Sequence, residues 1–67
     1  MDYVTIEIKY KEQLNTFQTI KLRNEKISEA RPSGYHLFDI KESGFIGEDG
    51  VRVVILILSF EKVTLNL

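Results

Sequence analysis

A chain of 67 residues lies close to the smallest size at which a hydrophobic core holds a fold without disulfides or metal ions. It has no cysteine and one histidine, which excludes a disulfide framework, a thiolate zinc site and a histidine cluster. Ten acidic and nine basic side chains give a formal charge of −1, so overall charge does not attract nucleic acid or an anionic membrane. We expect one domain, residues 1–67, in a soluble cytoplasmic protein that has no membrane partner and is stabilised by self-association.

The first segment, residues 2–11, alternates apolar and polar side chains, which is typical of a half-buried strand. Residues 16–23 alternate in the same way, though more weakly. Pairing residues whose numbers sum to 28 places Ile8 opposite Ile20 and matches both faces of the two segments. The pattern therefore predicts a first β-hairpin closed by the loop 13–15.

Residues 24–34 break the alternation and connect the first hairpin to the second half of the chain. One short helical turn near residues 25–31, ended by Pro32 and Gly34, fits this stretch. An irregular crossover fits it equally well, and both interpretations stay open.

Residues 35–46 resume the alternation and lead into the strongest turn signal of the chain, residues 47–50. A three-residue loop with Gly50 in the left-handed conformation would make the numbers of paired residues sum to 98. The expected pairs are then Phe45 with Val53, Ile40 with Leu58 and Phe38 with Phe60. Gly44 is the expected position for a bend or a bulge in this second hairpin.

The last third of the chain contains an unbroken aliphatic run from Val53 to Leu58, with Phe60 just beyond it. A strand with apolar side chains on both faces must be shielded on both, so this segment is predicted to be central. Residues 61–67 keep a period of two, and we interpret them as a strand segment pinned to the first strand or to another subunit.

These elements together predict an all-β fold. It consists of a small antiparallel sheet or barrel of four to five strands, built from two hairpins, with at most one short helical turn near residues 25–31. Small barrels of the SH3, Sm or OB type and an open curled sheet all agree with this number of elements.

The sequence has no motif with the spacing of a catalytic or cofactor-binding site. His36 and Asp39 are three residues apart on a predicted strand, so they would point to opposite faces. Glu48 and Asp49 belong to the predicted turn, where Asp is favoured for conformational reasons. We therefore expect a non-enzymatic protein without a cofactor or a metal ion.

The function predicted from these observations is that of a small protein-binding module, such as a stand-alone inhibitor or regulator that acts as a homo-oligomer. The predicted contacts with a protein partner, on the outer face of the first hairpin, are Tyr3, Lys9, Phe17, Lys21 and Arg23. A chain this short cannot easily cover both sides of its central strand. Either the sheet closes into a barrel around a helical plug, or one side of the strand is an interface, and the second alternative is the basis of the prediction. The predicted self-association residues are Val53, Ile55, Ile57, Leu65 and Leu67.

The alternative function is that of a small β-barrel that binds nucleic acid through the same outer face. Aromatic and basic side chains interleaved on a sheet bind single strands by stacking and by neutralising phosphates. This alternative ranks second because the net charge is negative and Glu7 interrupts the basic face.

Overall fold

The structure, a computed structural model, describes residues 2–64 of the chain. Four elements follow one another: β1 (Tyr3–Lys11), α1 (Thr16–Ala30), β2 (Tyr35–Ile46) and β3 (Arg52–Lys62). The strands form one antiparallel sheet in the order β1-β3-β2, so the last strand lies between the other two. The helix connects the two edge strands and packs on one face of the sheet.

The predicted all-β fold is confirmed in part: the sheet is antiparallel and β3 lies at its centre, but the number of strands and the extent of the helix were predicted wrongly. The described residues form three strands rather than four to five, and of the two predicted alternatives, an open sheet or a barrel, they form the open sheet. The helix is 15 residues long, whereas at most one short turn was predicted. Glu61 and Lys62 extend β3, and Leu65 and Leu67 of the predicted tail lie outside the described residues.

The predicted first hairpin does not form, because residues 16–23 are the first half of α1. Asn15 starts this helix: its Oδ1 accepts hydrogen bonds from the backbone N–H groups of Phe17 at 2.8 Å and Gln18 at 3.3 Å. An N-cap of this kind satisfies donors that have no partner inside the helix. Residues 13–15 therefore lead into a helix instead of reversing the chain, and β1 pairs with β3.

The helix packs on the sheet through a face that is only half apolar. No helix residue is fully buried, and the half-buried positions recur at the three-to-four-residue spacing of a helix face. These positions are Thr19, Leu22, Arg23, Lys26, Ile27 and Ala30. The helix thus contributes only three apolar side chains to the core.

The core lies between α1 and the inner side of β3. Its buried residues are Tyr10, Val54, Leu56, Leu58 and Phe60. Partly buried side chains from all three other elements pack against them, namely Ile6, Ile8, Leu22, Ile27, Ala30, Tyr35, Leu37 and Ile40. One side of β3 therefore supplies four of the five buried residues.

The second hairpin has the predicted register over most of its length. From Asp39 to Ile46, residues of β2 pair with residues of β3 whose numbers sum to 98, and Gly50 is left-handed with φ +80°. The bulge lies at Phe38 and not at Gly44, so Leu37 takes the predicted place of Phe38 opposite Phe60. Phe38 is therefore free to turn to the other side of the sheet.

Gly44 is needed for a different reason, which is the close approach of two strands. A Cβ atom at this position would lie 2.5 Å from the backbone oxygen of Val53. Because that oxygen belongs to the central strand, it cannot move aside without disturbing the ladder.

We expect Gly44→Ala to lower the free energy of unfolding by about 1–3 kcal/mol, the usual cost of forcing extra atoms into a packed structure. Ser43→Ala is the matched control at the neighbouring position, and we expect it to change the stability by less than about 0.5 kcal/mol. Urea unfolding followed by circular dichroism measures both values. Equal stability of the two variants would show that the strands separate easily at Gly44.

Candidate functional site

The side of the sheet opposite α1 is its open face. Residues paired across neighbouring strands point to the same side, so the register defines which side chains it carries. It is formed by Tyr3, Thr5, Glu7, Lys9 and Lys11 of β1, by Val53, Ile55, Ile57, Ser59 and Glu61 of β3, and by His36, Asp39, Lys41, Ser43 and Phe45 of β2. The unpaired Phe38 also lies on this face, where its ring contacts that of Tyr3. No element of residues 2–64 packs on this face.

An apolar stripe, Val53, Ile55 and Ile57, runs along the middle of the open face. Val53 and Ile55 are half-buried by their neighbours, whereas Ile57 is 37% exposed although it lies on the central strand. An antiparallel sheet commonly leaves one face to solvent, but that face is then normally polar, so an exposed apolar stripe on it marks an interaction surface.

Aromatic rings extend the apolar stripe at both ends. Tyr3 and Phe38 meet edge to face with ring centroids 5.7 Å apart, and this pair spans the central strand because the two rings come from the two edge strands. Phe45 lies beside Val53 at the other end. These three rings are 51–58% exposed, so the open face presents aromatic and aliphatic side chains over the full length of β3.

The charges of the open face are balanced. Three carboxylates, those of Glu7, Asp39 and Glu61, stand against three ammonium groups, those of Lys9, Lys11 and Lys41. The ammonium group of Lys11 also donates a hydrogen bond to the carboxylate of Asp49 in the turn at 2.8 Å. His36 Nε2 lies 3.6 Å from a carboxylate oxygen of Glu61. The face is therefore not a basic patch.

Most of the other ion pairs lie on the helix side of the sheet. Arg52 contacts Glu12 at 3.3 Å and Glu42 at 3.9 Å, and Glu42 in turn contacts Arg23 of α1 at 3.7 Å. All four side chains are partly exposed, so each pair contributes at most about 1 kcal/mol to stability. These ion pairs link the helix to β2 and β3, and they leave Arg23 paired within its own chain.

The structure separates the five residues predicted to contact a protein partner. Tyr3 and Lys9 lie on the open face, whereas Phe17 and Lys21 lie on the outer side of α1. Arg23 points towards β2 and pairs with Glu42. The common hairpin face on which they were placed does not exist, because residues 16–23 are helical.

The predicted self-association residues divide into two groups. Val53, Ile55 and Ile57 lie together on the open face, and Leu65 and Leu67 lie outside the described residues. Sequence reasoning missed the contributions of Phe38 and Lys41. The predicted pairing, in which residue numbers sum to 98, places Lys41 opposite Ile57, so the position of Lys41 on this face could have been predicted from the sequence. The position of Phe38 depends on the bulge.

The outer side of α1 carries a second exposed apolar surface. Phe17 is 73% exposed, and together with Ile20 it borders a shallow groove on the helix. The polar part of the groove is formed by Lys21, Asn24, Glu25 and Ser28. This surface is smaller than the open face and is interrupted by polar side chains.

Two titratable groups have shifted pKa values. Burial raises the pKa of Tyr10, and the neighbouring carboxylate of Glu42 raises it further. Hydrogen bonds from the Lys11 ammonium and from the Val51 backbone N–H lower the pKa of Asp49. Tyr10 belongs to the core and Asp49 to the turn, so neither shift marks chemistry on the open face.

Comparison of the chain with protein-family models, with curated proteins and with solved structures gives no match. Within residues 2–64, no cluster of three or more His, Cys, Asp and Glu side chains could hold a metal ion. The helix of the described part is neither long nor apolar enough to cross a membrane. Among the described residues, the open face and the outer side of α1 are the surfaces from which a function can be inferred.

The raised pKa of Tyr10 makes a prediction about stability at high pH. A folded-state pKa above the ordinary value of 10.0 means that the contribution of Tyr10 is complete below about pH 10 and is lost as the pH rises further. We expect the urea midpoint of the wild type to fall as the pH rises above about 10, and Tyr10→Phe to remove part of that fall. Tyr3→Phe removes the same hydroxyl from an exposed ring and is the control; identical behaviour of the two variants would contradict the assignment to Tyr10.

Proposed function

We propose that this protein is a small, non-enzymatic protein-binding module that works as a homo-oligomer, with the open face as the contact between copies. The observation that carries the proposal is the apolar stripe on the central strand, which no part of residues 2–64 covers. Removing such a surface from water is the main driving force for association between proteins.

The shape of the molecule supports the same proposal. Its accessible surface is 5232 Å², whereas a compact monomer of its mass exposes about 4,400 Å². Its radius of gyration is 14.1 Å, against about 11 Å for a compact domain of this length. The chain thus exposes more surface than its size requires.

The size of the open face suits a contact between two copies. Eleven residues of β3 extend over about 36 Å and three strands over about 14 Å, so the face covers about 500 Å² in projection. Two such faces together reach about 1,000 Å², the lower limit for a specific interface. The gain from burying this area would also compensate for the small core.

A second copy fits this face better than a nucleic acid does. Three of its six charged side chains are acidic, and a neutral face provides no excess of cations for phosphates. The alternative function also assumed a barrel with a basic hairpin face, and that hairpin does not form. No feature of residues 2–64 favours nucleic-acid binding.

The outer side of α1 is the proposed contact for a different protein. It stays accessible when the open face is closed, because the two surfaces lie on opposite sides of the molecule. Phe17 and Ile20 would be its apolar anchors, and Lys21 would be its charged margin. An oligomer that presents this surface more than once could act as an inhibitor or regulator through protein–protein contacts.

We expect Ile57→Lys to weaken self-association by about 10-fold to 100-fold, because it places a charge where the proposed contact between copies buries an aliphatic side chain. Ile20→Lys on the outer side of α1 is the matched control and should leave self-association unchanged. Sedimentation over a range of concentrations measures both, with circular dichroism to verify the fold. A wild-type protein that stays monomeric at every concentration would refute the proposed function.

A second prediction uses the absence of cysteine, which gives any introduced thiol a unique label site. We expect Ile57→Cys to react slowly with a maleimide at high protein concentration and faster on dilution, because the oligomer covers it. Phe17→Cys should react at the same rate at both concentrations, since the outer side of α1 stays exposed. Equal concentration dependence at the two positions would place the interface elsewhere.

A further inference from the structure

The side chains of the open face form rows across the three strands. The central row consists of Glu7 on β1, Ile57 on β3 and Lys41 on β2. Glu7 and Lys41 stand on opposite sides of the apolar stripe, about 10 Å apart at two strand spacings. This row therefore has a negative end and a positive end.

Glu7 and Lys41 are also free to interact outside their own chain. The ion pairs of residues 2–64 join Lys11 to Asp49, Arg52 to Glu12 and Glu42, Arg23 to Glu42, and His36 to Glu61. Within this described part, neither Glu7 nor Lys41 has a charged or hydrogen-bonded side-chain partner. Two unpaired opposite charges therefore flank an exposed isoleucine.

We propose, on the basis of the proposed self-association, that two copies pack face to face about a two-fold axis parallel to the strands. This rotation places β1 of one copy over β2 of the other, while β3 lies over β3 at the same height. Glu7 of each copy then lies opposite Lys41 of the other, and Ile57 lies on Ile57. One row on each subunit thus produces two identical ion pairs around an apolar centre.

The neighbouring rows agree with this symmetry except at Glu61, which lies on β3 and therefore meets Glu61 of the second copy. In the row of Ser59, the same rotation brings Thr5 over Asp39 of the second copy, where a hydroxyl can donate to a carboxylate. In the row of Ile55, it leaves Lys9 over Ser43, without a charged partner. The Tyr3 and Phe38 rings of the two copies meet at the same end, so the aromatic pairs form one cluster.

A two-fold axis across the strands does not bring Glu7 over Lys41 at any position, because β1 then lies over β1 and β2 over β2. Placed at Ile57, it sets Glu7 against Glu7 and Lys41 against Lys41, which is repulsive. Placed midway between Ile55 and Ile57, it pairs Glu7 with Lys9 but leaves Lys41 over Ser43. It also puts the aromatic end of one copy over the opposite end of the other.

Charge exchange between Glu7 and Lys41 tests the proposed symmetry. We expect Glu7→Lys and Lys41→Glu each to weaken dimerisation about 10-fold or more at low salt, because each creates two like-charge pairs per dimer. The double variant restores opposite charges and should bind within about threefold of the wild type. Dissociation constants from sedimentation provide the readout, and unfolding in urea verifies that all variants are folded.

The control variant combines Glu7→Lys with Lys9→Glu, and under the proposed symmetry it should not recover. Recovery in this control but not in the Glu7→Lys, Lys41→Glu variant would overturn the proposal in favour of an axis across the strands. Dimerisation that Ile57→Lys abolishes but the single charge variants leave unchanged would refute the symmetry while the proposed function stands. A wild type that is monomeric throughout would remove both.

Discussion

The structure depends on one constraint: the central strand β3 is apolar on both sides, but the described part of the chain has one helix, which covers a single side. Leu56 and Leu58 point to α1 and are fully buried, whereas Ile55 and Ile57 point away from it. A helix of 15 residues is about 22 Å long, so it shields a single face of strands that extend over about 36 Å. The order β1-β3-β2 is the consequence, because the most apolar strand gains most from a neighbour on each edge.

The second hairpin and the central strand could be predicted from the sequence because local signals determine them. An aliphatic run defines β3, and a glycine that adopts positive φ fixes the turn and therefore the pairing. Alternation alone then placed Val53, Ile55 and Ile57 on one side. The bulge at Phe38 has no such signal, since the glycine that suggested a bulge, Gly44, instead accommodates the backbone of Val53.

The sequence did not predict the helix because its apolar residues fit the spacing of a strand as well as that of a helix. Ile20 and Leu22 are two residues apart, which is typical of a strand, and half of the helix face that contacts the sheet is polar. The signal that could have found it was Asn15 followed three residues later by Gln18, a combination typical of a helix start. This one error moved Phe17, Lys21 and Arg23 from a predicted sheet face to the helix and divided the predicted partner site.

Apolar burial and charge have different roles in the proposed interface. Burial is non-directional, so a flat apolar face by itself would accept a second copy in several orientations. The orientation of one copy on the other must therefore be set by groups at the margins of the face, where charges contribute more to orientation than to affinity. On the helix side the ion pairs of Arg52 and Glu42 are already formed within the chain, whereas the charges beside Ile57 remain unpaired within residues 2–64. The unpaired charges are therefore the groups best placed to select one orientation among those that the apolar stripe allows.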